Sequence, residues 1–230
     1  MSKSAAAKRI LADLPGASRR QQYSASTRRA LVDAAARLFT EKGYAATSLD
    51  AIVSSARVTK GALYHHYSGK QALFEAVFEQ VEQAAKKSIN RAVKGSKDPW
   101  EKAQAALSAF LHAVQEPGYR RVVVQEGPAV LGYERYREQE EHSSFAIVLD
   151  IVNNVLSAGT WELDEPMIDT FARIFHGALN AAGESVATDP DPEVASARVE
   201  AAIGFILAGL RSLVDQGVEF ADPGTPKDVS

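Results

Sequence analysis

The stretch Thr47–Lys70, TSLDAIVSSARVTKGALYHHYSGK, decides the fold. Leu49, Ile52, Val53 and Ala56 recur at helical spacing, and Thr47 with Asp50 three positions on forms a capping-box variant in which Asp replaces the usual Glu. Arg57 and Val58 interrupt the pattern, and Thr59 caps a further helix. Along that helix a step of about 100° per residue gathers Lys60, Gly61, Tyr64 and His65 into one arc and turns Ala62, Leu63 and His66 away from it. Two short helices across a tight turn, the second with a basic and aromatic outer arc, are the layout of a helix-turn-helix DNA reader. A helix laid in the major groove needs a slim backbone at its closest approach, which Gly61 supplies. It also needs donors or flat groups for base edges, which Tyr64 and His65 supply, while Lys60 suits a phosphate. The plainer readings are a half-buried packing aromatic for Tyr64 and a core histidine for His66.

Before this stretch, Leu31, Ala34, Ala35, Leu38 and Phe39 predict a helix over Thr27 to Lys42, capped by Ser26 or Thr27 and stopped by Gly43. After it, Leu73, Phe74, Val77, Phe78 and Val81 predict a long helix that begins near Ser68. Charge divides at the same place. Residues 1–70 hold 12 Lys and Arg against 4 Asp and Glu, leaving 14 against 25 for the remainder, so a basic head of +8 precedes an acidic body of −11. Phosphate attracts such a head and repels such a body.

The run from Gly43-Tyr44 through Thr47-Ser48-Leu49, Val58 to Tyr67, Lys70 and Leu73-Phe74 closely resembles the N-terminal domain of the tetracycline-repressor (TetR) family over roughly residues 25–75. The resemblance implies an all-helical, homodimeric transcription regulator, usually a repressor, with a divergent ligand-binding domain behind its reader. By position it implies that Thr47 and Ser48 bond phosphate, that Thr59, Lys60, Gly61, Tyr64 and His65 face the groove, and that Lys70 holds the flanking backbone. Ala62 stands where some members carry Thr or Ser, so one hydroxyl contact is missing.

The body reads as helices throughout. Asp98-Pro99-Trp100-Glu101 and Asp191-Pro192 pair an Asp cap with Pro at the first helical position, and Asp164-Glu165-Pro166 opens a third helix in the same manner. Tyr119–Val124 is β-branched enough for a strand, though its helical surroundings favour a short helix. Tyr133 to about Ala158 reads as one long helix. Val122–Glu138 is similar to a segment found in a subgroup of the same family. The last helix, to about Gln216, is rich in Ala and Gly, which lets another helix approach closely, so the last two helices are expected to pair with their copies through Ile168, Phe171, Ala201, Phe205, Ala208 and Gly209.

An effector cavity is expected to be apolar with a few orienting groups. Candidate walls are Phe78, Phe110, Val114, Val123 and Phe145, together with Leu149, Phe171 and Phe175; candidate orienters are Gln125, Glu126, Tyr133, His176 and Asn180. Ordinary core packing is the alternative for each wall residue. Glu138 and His142 share helical spacing but make a poor metal site on their own. No Cys is present, and no nucleophile–base set, P-loop or dinucleotide fingerprint stands out, which argues against an enzyme, a metal or a cofactor. No apolar run approaches the roughly 18 residues of a membrane span. The expectation is an all-α cytoplasmic protein of about nine helices: a mobile basic arm over 1–24, a helix-turn-helix domain over 25–70, a ligand-binding and dimerisation body over 71–216, and a mobile tail over 217–230. Its partners would be double-stranded operator DNA, a small-molecule effector and a second copy. An activator, or an architectural DNA binder without a ligand, fits the same reader.

Overall fold

The computed structural model describes residues 19–140 and 144–219, so residues 1–18 of the basic arm, His142 and the tail beyond 219 lie outside the described residues. The described residues form ten α-helices, a π-helical segment over Tyr119–Glu126 and π winding at residues 144–145, and no strand. The head consists of α1 (Arg19–Ala46), α2 (Leu49–Ala56) and α3 (Lys60–His66). Helix α4 (Lys70–Val93) runs from the head into the body, where α5 (Pro99–Gln115), the π segment (Tyr119–Glu126), α6 (Gly127–Leu131), α7 (Tyr133–Glu140), α8 (Ala146–Leu156), α9 (Glu165–Thr188) and α10 (Pro192–Asp215) follow.

Helix α1 starts at Arg19, well ahead of the predicted Thr27 and inside what reads as the arm. Its first turns carry no apolar stripe, and Ser26 donates to the Tyr23 carbonyl at 2.9 Å instead of capping. The predicted stripe of Leu31, Ala34, Ala35, Leu38 and Phe39 is buried with Ile52 of α2, Leu63 of α3 and Leu73, Phe74, Val77 and Phe78 of α4. Phe39 and Tyr44 set their rings against Phe74, each at 5.3 Å. Each buried Phe contributes about 1.5–3 kcal/mol relative to an exposed one.

Gly43 ends the regular part of α1 at φ 80°, ψ 168°, a left-handed break that a side chain would strain. The cap of α2 is Ser48, whose hydroxyl accepts from the Ala51 N–H at 3.1 Å, and not the predicted Thr47. Thr59 caps α3 as predicted, accepting from the Ala62 N–H at 3.1 Å. The Asp caps at Asp98, Asp164 and Asp191 also form, each accepting backbone N–H groups of the first turn.

Two segments differ from the sequence reading. Tyr119–Glu126 is helical but wound as a π-helix, the loosest of the helical windings. Of the predicted helix from Tyr133 to about Ala158, the described residues give α7 and α8 on either side of residues 141–143, which lie outside the described residues, and α8 ends at Leu156 shortly before Gly159. Val122 and Val123 of the π segment are buried within the core that holds the head together, so head and upper body share one core. Gly127 follows that segment, and a Cβ there would stand 2.9 Å from a Phe78 ring carbon, which leaves room only for glycine.

Candidate functional site

The caps and the turn aim the reading helix outward. Leu63, fully buried, fastens α3 to the core, and Tyr64, 55% exposed, and His65 project from the opposite side. Gly61 is exposed, and a Cβ built there would meet nothing nearer than the Thr59 Oγ1 at 4.0 Å. The chain's own packing therefore leaves that space open. His66 is half-buried beneath the arc, and burial, His65 and Arg28 together lower its pKa from the ordinary 6.5. Arg28 of α1 donates to the Tyr67 hydroxyl at 3.3 Å, which ties the end of α3 to the first helix.

Three of the residues read as DNA contacts are engaged within the head. Thr47 is only 1% exposed, and its hydroxyl donates to the Gly43 carbonyl at 2.8 Å and lies 3.2 Å from that of Leu38. Lys70 turns its ammonium inward to the Tyr44 and Thr47 carbonyls at 2.8 and 3.0 Å and sits over the Tyr44 ring at 4.2 Å. Both residues satisfy carbonyls around the break at Gly43, Thr47 from within the core and Lys70 from a half-buried position. Lys60 is exposed but pairs with Asp50 at 2.7 Å. Ser48 and Thr59 remain at the surface as caps, with Gly61, Tyr64 and His65 beyond them.

In the body, α4, α5, α8, α9 and α10 surround a cavity of about 130 Å³. Phe110, Phe175, His176 and Asn180 line it as expected. The other expected walls pack elsewhere. Phe78 and Val123 belong to the head-side core, Val114 to the contact of α5 with α9, and Phe145, Leu149 and Phe171 to the packing of α8 on α9. Tyr133 is 71% exposed, and Gln125 donates to the Ala187 carbonyl at 3.3 Å. Glu126 serves the joint between body and head. Its carboxylate accepts the Tyr44 N–H at 2.8 Å and pairs with Arg121 at 3.1 Å. The polar groups that sequence reasoning missed on the wall are Glu82, Lys86, Tyr119 and Ser144. Glu82 could have been found, because it stands four residues after Phe78 and so continues the buried stripe of α4.

Among the expected pairing residues, Ile168 and Phe171 pack within the chain against α8, which removes them from a flat outer face. Ala201, Phe205, Ala208 and Gly209 are exposed along α10, Phe205 at 82%.

Residues 31–77 match the model of the bacterial regulatory proteins of the tetR family, and residues 100–210 match that of the tetracyclin repressor-like C-terminal domain. The chain belongs to the TetR family of transcriptional regulators. This TetR-family chain is 48% identical over 60 residues to the transposon Tn10 TetC protein of Escherichia coli, a match covering 26% of this chain and 30% of the relative. The chain thus spans less than a third of that protein's length. Over 94 residues it is 31% identical to the transcriptional activator FasR of Mycolicibacterium smegmatis, covering 40% of this chain and 43% of the relative. The crystal structure of a TetR-family regulator from Pectobacterium atrosepticum superposes with a TM-score of 0.71 at 29% identity, covering 83% of this chain and 96% of that one. The match over residues 31–77 contains the helix-turn-helix head, and the FasR and Pectobacterium atrosepticum relatives are transcriptional regulators. Among the described residues no group of three His, Cys, Asp or Glu side chains is placed to hold a metal ion, and no helix is long and apolar enough to cross a membrane.

Proposed function

We propose that this regulator is a homodimeric repressor that grips a near-palindromic operator through Ser48, Thr59, Lys60, Gly61, Tyr64 and His65 of each head, and releases it when a small molecule fills the cavity of the body. The observation that carries this reading is the reach of one short segment. Tyr119, at the start of the π segment, lines the cavity, and Glu126, at its end, holds the Tyr44 N–H of the head. A ligand that fits the cavity better in one arrangement of this segment biases the head by that difference in affinity. Apolar groups exposed on α9 and α10, Ile174 at 63%, Phe205 at 82% and Ile206 at 50%, supply a face for the second copy. Lys70 and Thr47 contribute by fixing the head's shape, not by touching phosphate with their side chains.

Selection of bound DNA from a random-sequence pool, followed by sedimentation of the complex, tests the reading. The expected result is an inverted repeat occupied by two chains, with half-site centres roughly 34 Å apart or a multiple of that. A selected site without dyad symmetry, or one chain per site, overturns the dimeric grip. A compound that raises the melting temperature through the cavity and leaves operator affinity unchanged overturns ligand release.

A further inference from the structure

We propose that the cavity takes a neutral, single-ring aromatic carrying a hydroxyl group, an assignment that rests on the effector reading above and names its ligand class. Size comes first. A cavity of about 130 Å³ is close to the roughly 150 Å³ apolar cavity that holds one benzene. The wall is mostly apolar, with Ala103, Ile151, Val155 and Leu207 alongside the rings of Phe110 and Phe175, so an apolar body is what it accommodates.

The polar groups on the wall then select the substituent. Ser144 Oγ lies 2.9 Å from His176 Nε2, and Asn180 stands one turn further along α9. A serine hydroxyl and a carboxamide each donate and accept, as does the hydroxyl of a phenol, and an imidazole nitrogen adds a further hydrogen-bonding partner, so a phenolic group joins this set in either sense. Charge decides the rest. Glu82, 7% exposed, and Lys86, one turn further along α4, both line the cavity. A charged ligand meets a group of its own sign as well as one of opposite sign, and it gives up its hydration to enter an otherwise apolar space. A neutral ring loses neither way.

Isothermal titration of the full chain with phenol, benzoate, benzylammonium and dodecanoate tests this. Phenol is expected to bind once per chain, and the two charged rings at least tenfold more weakly. Ala106→Phe, which places a ring on the cavity wall, is expected to abolish phenol binding, and His176→Leu or Asn180→Leu to weaken it on the order of tenfold. The leucine variants decide the matter should Ala106→Phe fail to fold by circular dichroism. Benzoate or benzylammonium binding as tightly as phenol overturns the neutral assignment. Phenol binding unaltered by Ala106→Phe, or by both leucine variants, places the ring elsewhere and overturns the site. Dodecanoate binding where phenol does not overturns the ligand class but leaves the effector reading standing. That reading fails separately, if a folded Ala106→Phe chain still loses its DNA to every compound that releases the native chain.

Discussion

The backbone N–H of Tyr44 in the head donates to the Glu126 carboxylate of the body at 2.8 Å, and Arg121 holds the other oxygen of the same carboxylate at 3.1 Å. Glu126 is mostly shielded, with 18% of its side chain exposed, so this joint is better protected from solvent than a surface ion pair. Glu126→Ala leaves the Tyr44 N–H without its acceptor and is expected to cost about 1.5–3 kcal/mol. Glu126→Gln keeps an oxygen for Tyr44, loses only the ion pair, and should cost less than half as much. Urea unfolding at unchanged slope measures both. Equal losses would mean that Arg121, and not the Tyr44 bond, carries the joint.

Asp50 restrains the one basic residue of the reading arc. It pairs with Lys60 at 2.7 Å where both are exposed, an arrangement that adds little to stability. Asp50→Asn is therefore expected to leave the melting temperature within experimental scatter while raising DNA affinity. It should steepen the log–log salt dependence by about 0.9 per head as Lys60 gains a phosphate. An unchanged slope would show that Lys60 contacts no phosphate.

Tyr64 is 55% exposed, while its neighbour Leu63 is fully buried and fastens α3 to the core. Tyr64→Ala should lower operator affinity by about 1–3 kcal/mol per half-site. Its effect on unfolding should stay within about 0.5 kcal/mol, as for a surface substitution. Dissociation or unfolding of this variant would make Tyr64 a packing residue.

His66 has its pKa lowered from 6.5 by burial first, then by His65 and Arg28. As pH falls below 6.5 the unfolded chain takes up this proton before the folded head does. Stability is thus intact above 6.5 and declines as pH falls through the window between 6.5 and the lower folded value. Melting curves at pH 7.5 and 5.5 should show a larger acid loss for the native chain than for His66→Gln, and identical losses would assign the acid sensitivity elsewhere.

Phe205, 82% exposed on α10, leaves most of its ring open to solvent. Phe205→Glu is expected to turn dimers into monomers in sedimentation velocity while helicity is retained. If the native chain is monomeric at micromolar concentration, the proposed pairing of α9 and α10 is wrong.

The head was legible because its signals are local and redundant. Leu31 to Phe39 repeat at three and four, Gly43 stops the helix, Thr59 caps α3, and each signal agrees with the next. The engagement of Thr47 and Lys70 within the head was not legible, because a hydroxyl and an ammonium serve phosphates and backbone carbonyls equally well. What turned them inward is the break at Gly43, whose freed carbonyls are a three-dimensional fact. In the body, Phe78, Phe145 and Phe171 repeat as Phe110 and Phe175 do, and helical spacing says which side faces inward without saying whether it meets another side chain or a void. The β-branched run Val122–Val124 gave no sign of its winding, because strand, α-helix and π-helix all accept it when buried.

The π winding of Tyr119–Glu126 means that a little slack is stored between the cavity and the head. Each of its hydrogen bonds spans five residues where an ordinary helix spans four. Rewound as an α-helix, the same eight residues would take up that slack at about 100° per step. Tyr119 and Glu126 could not then both keep their present places. On the proposed reading, a molecule that pins one end acts on the head through the pitch of this segment, with no need for the body to move as a block.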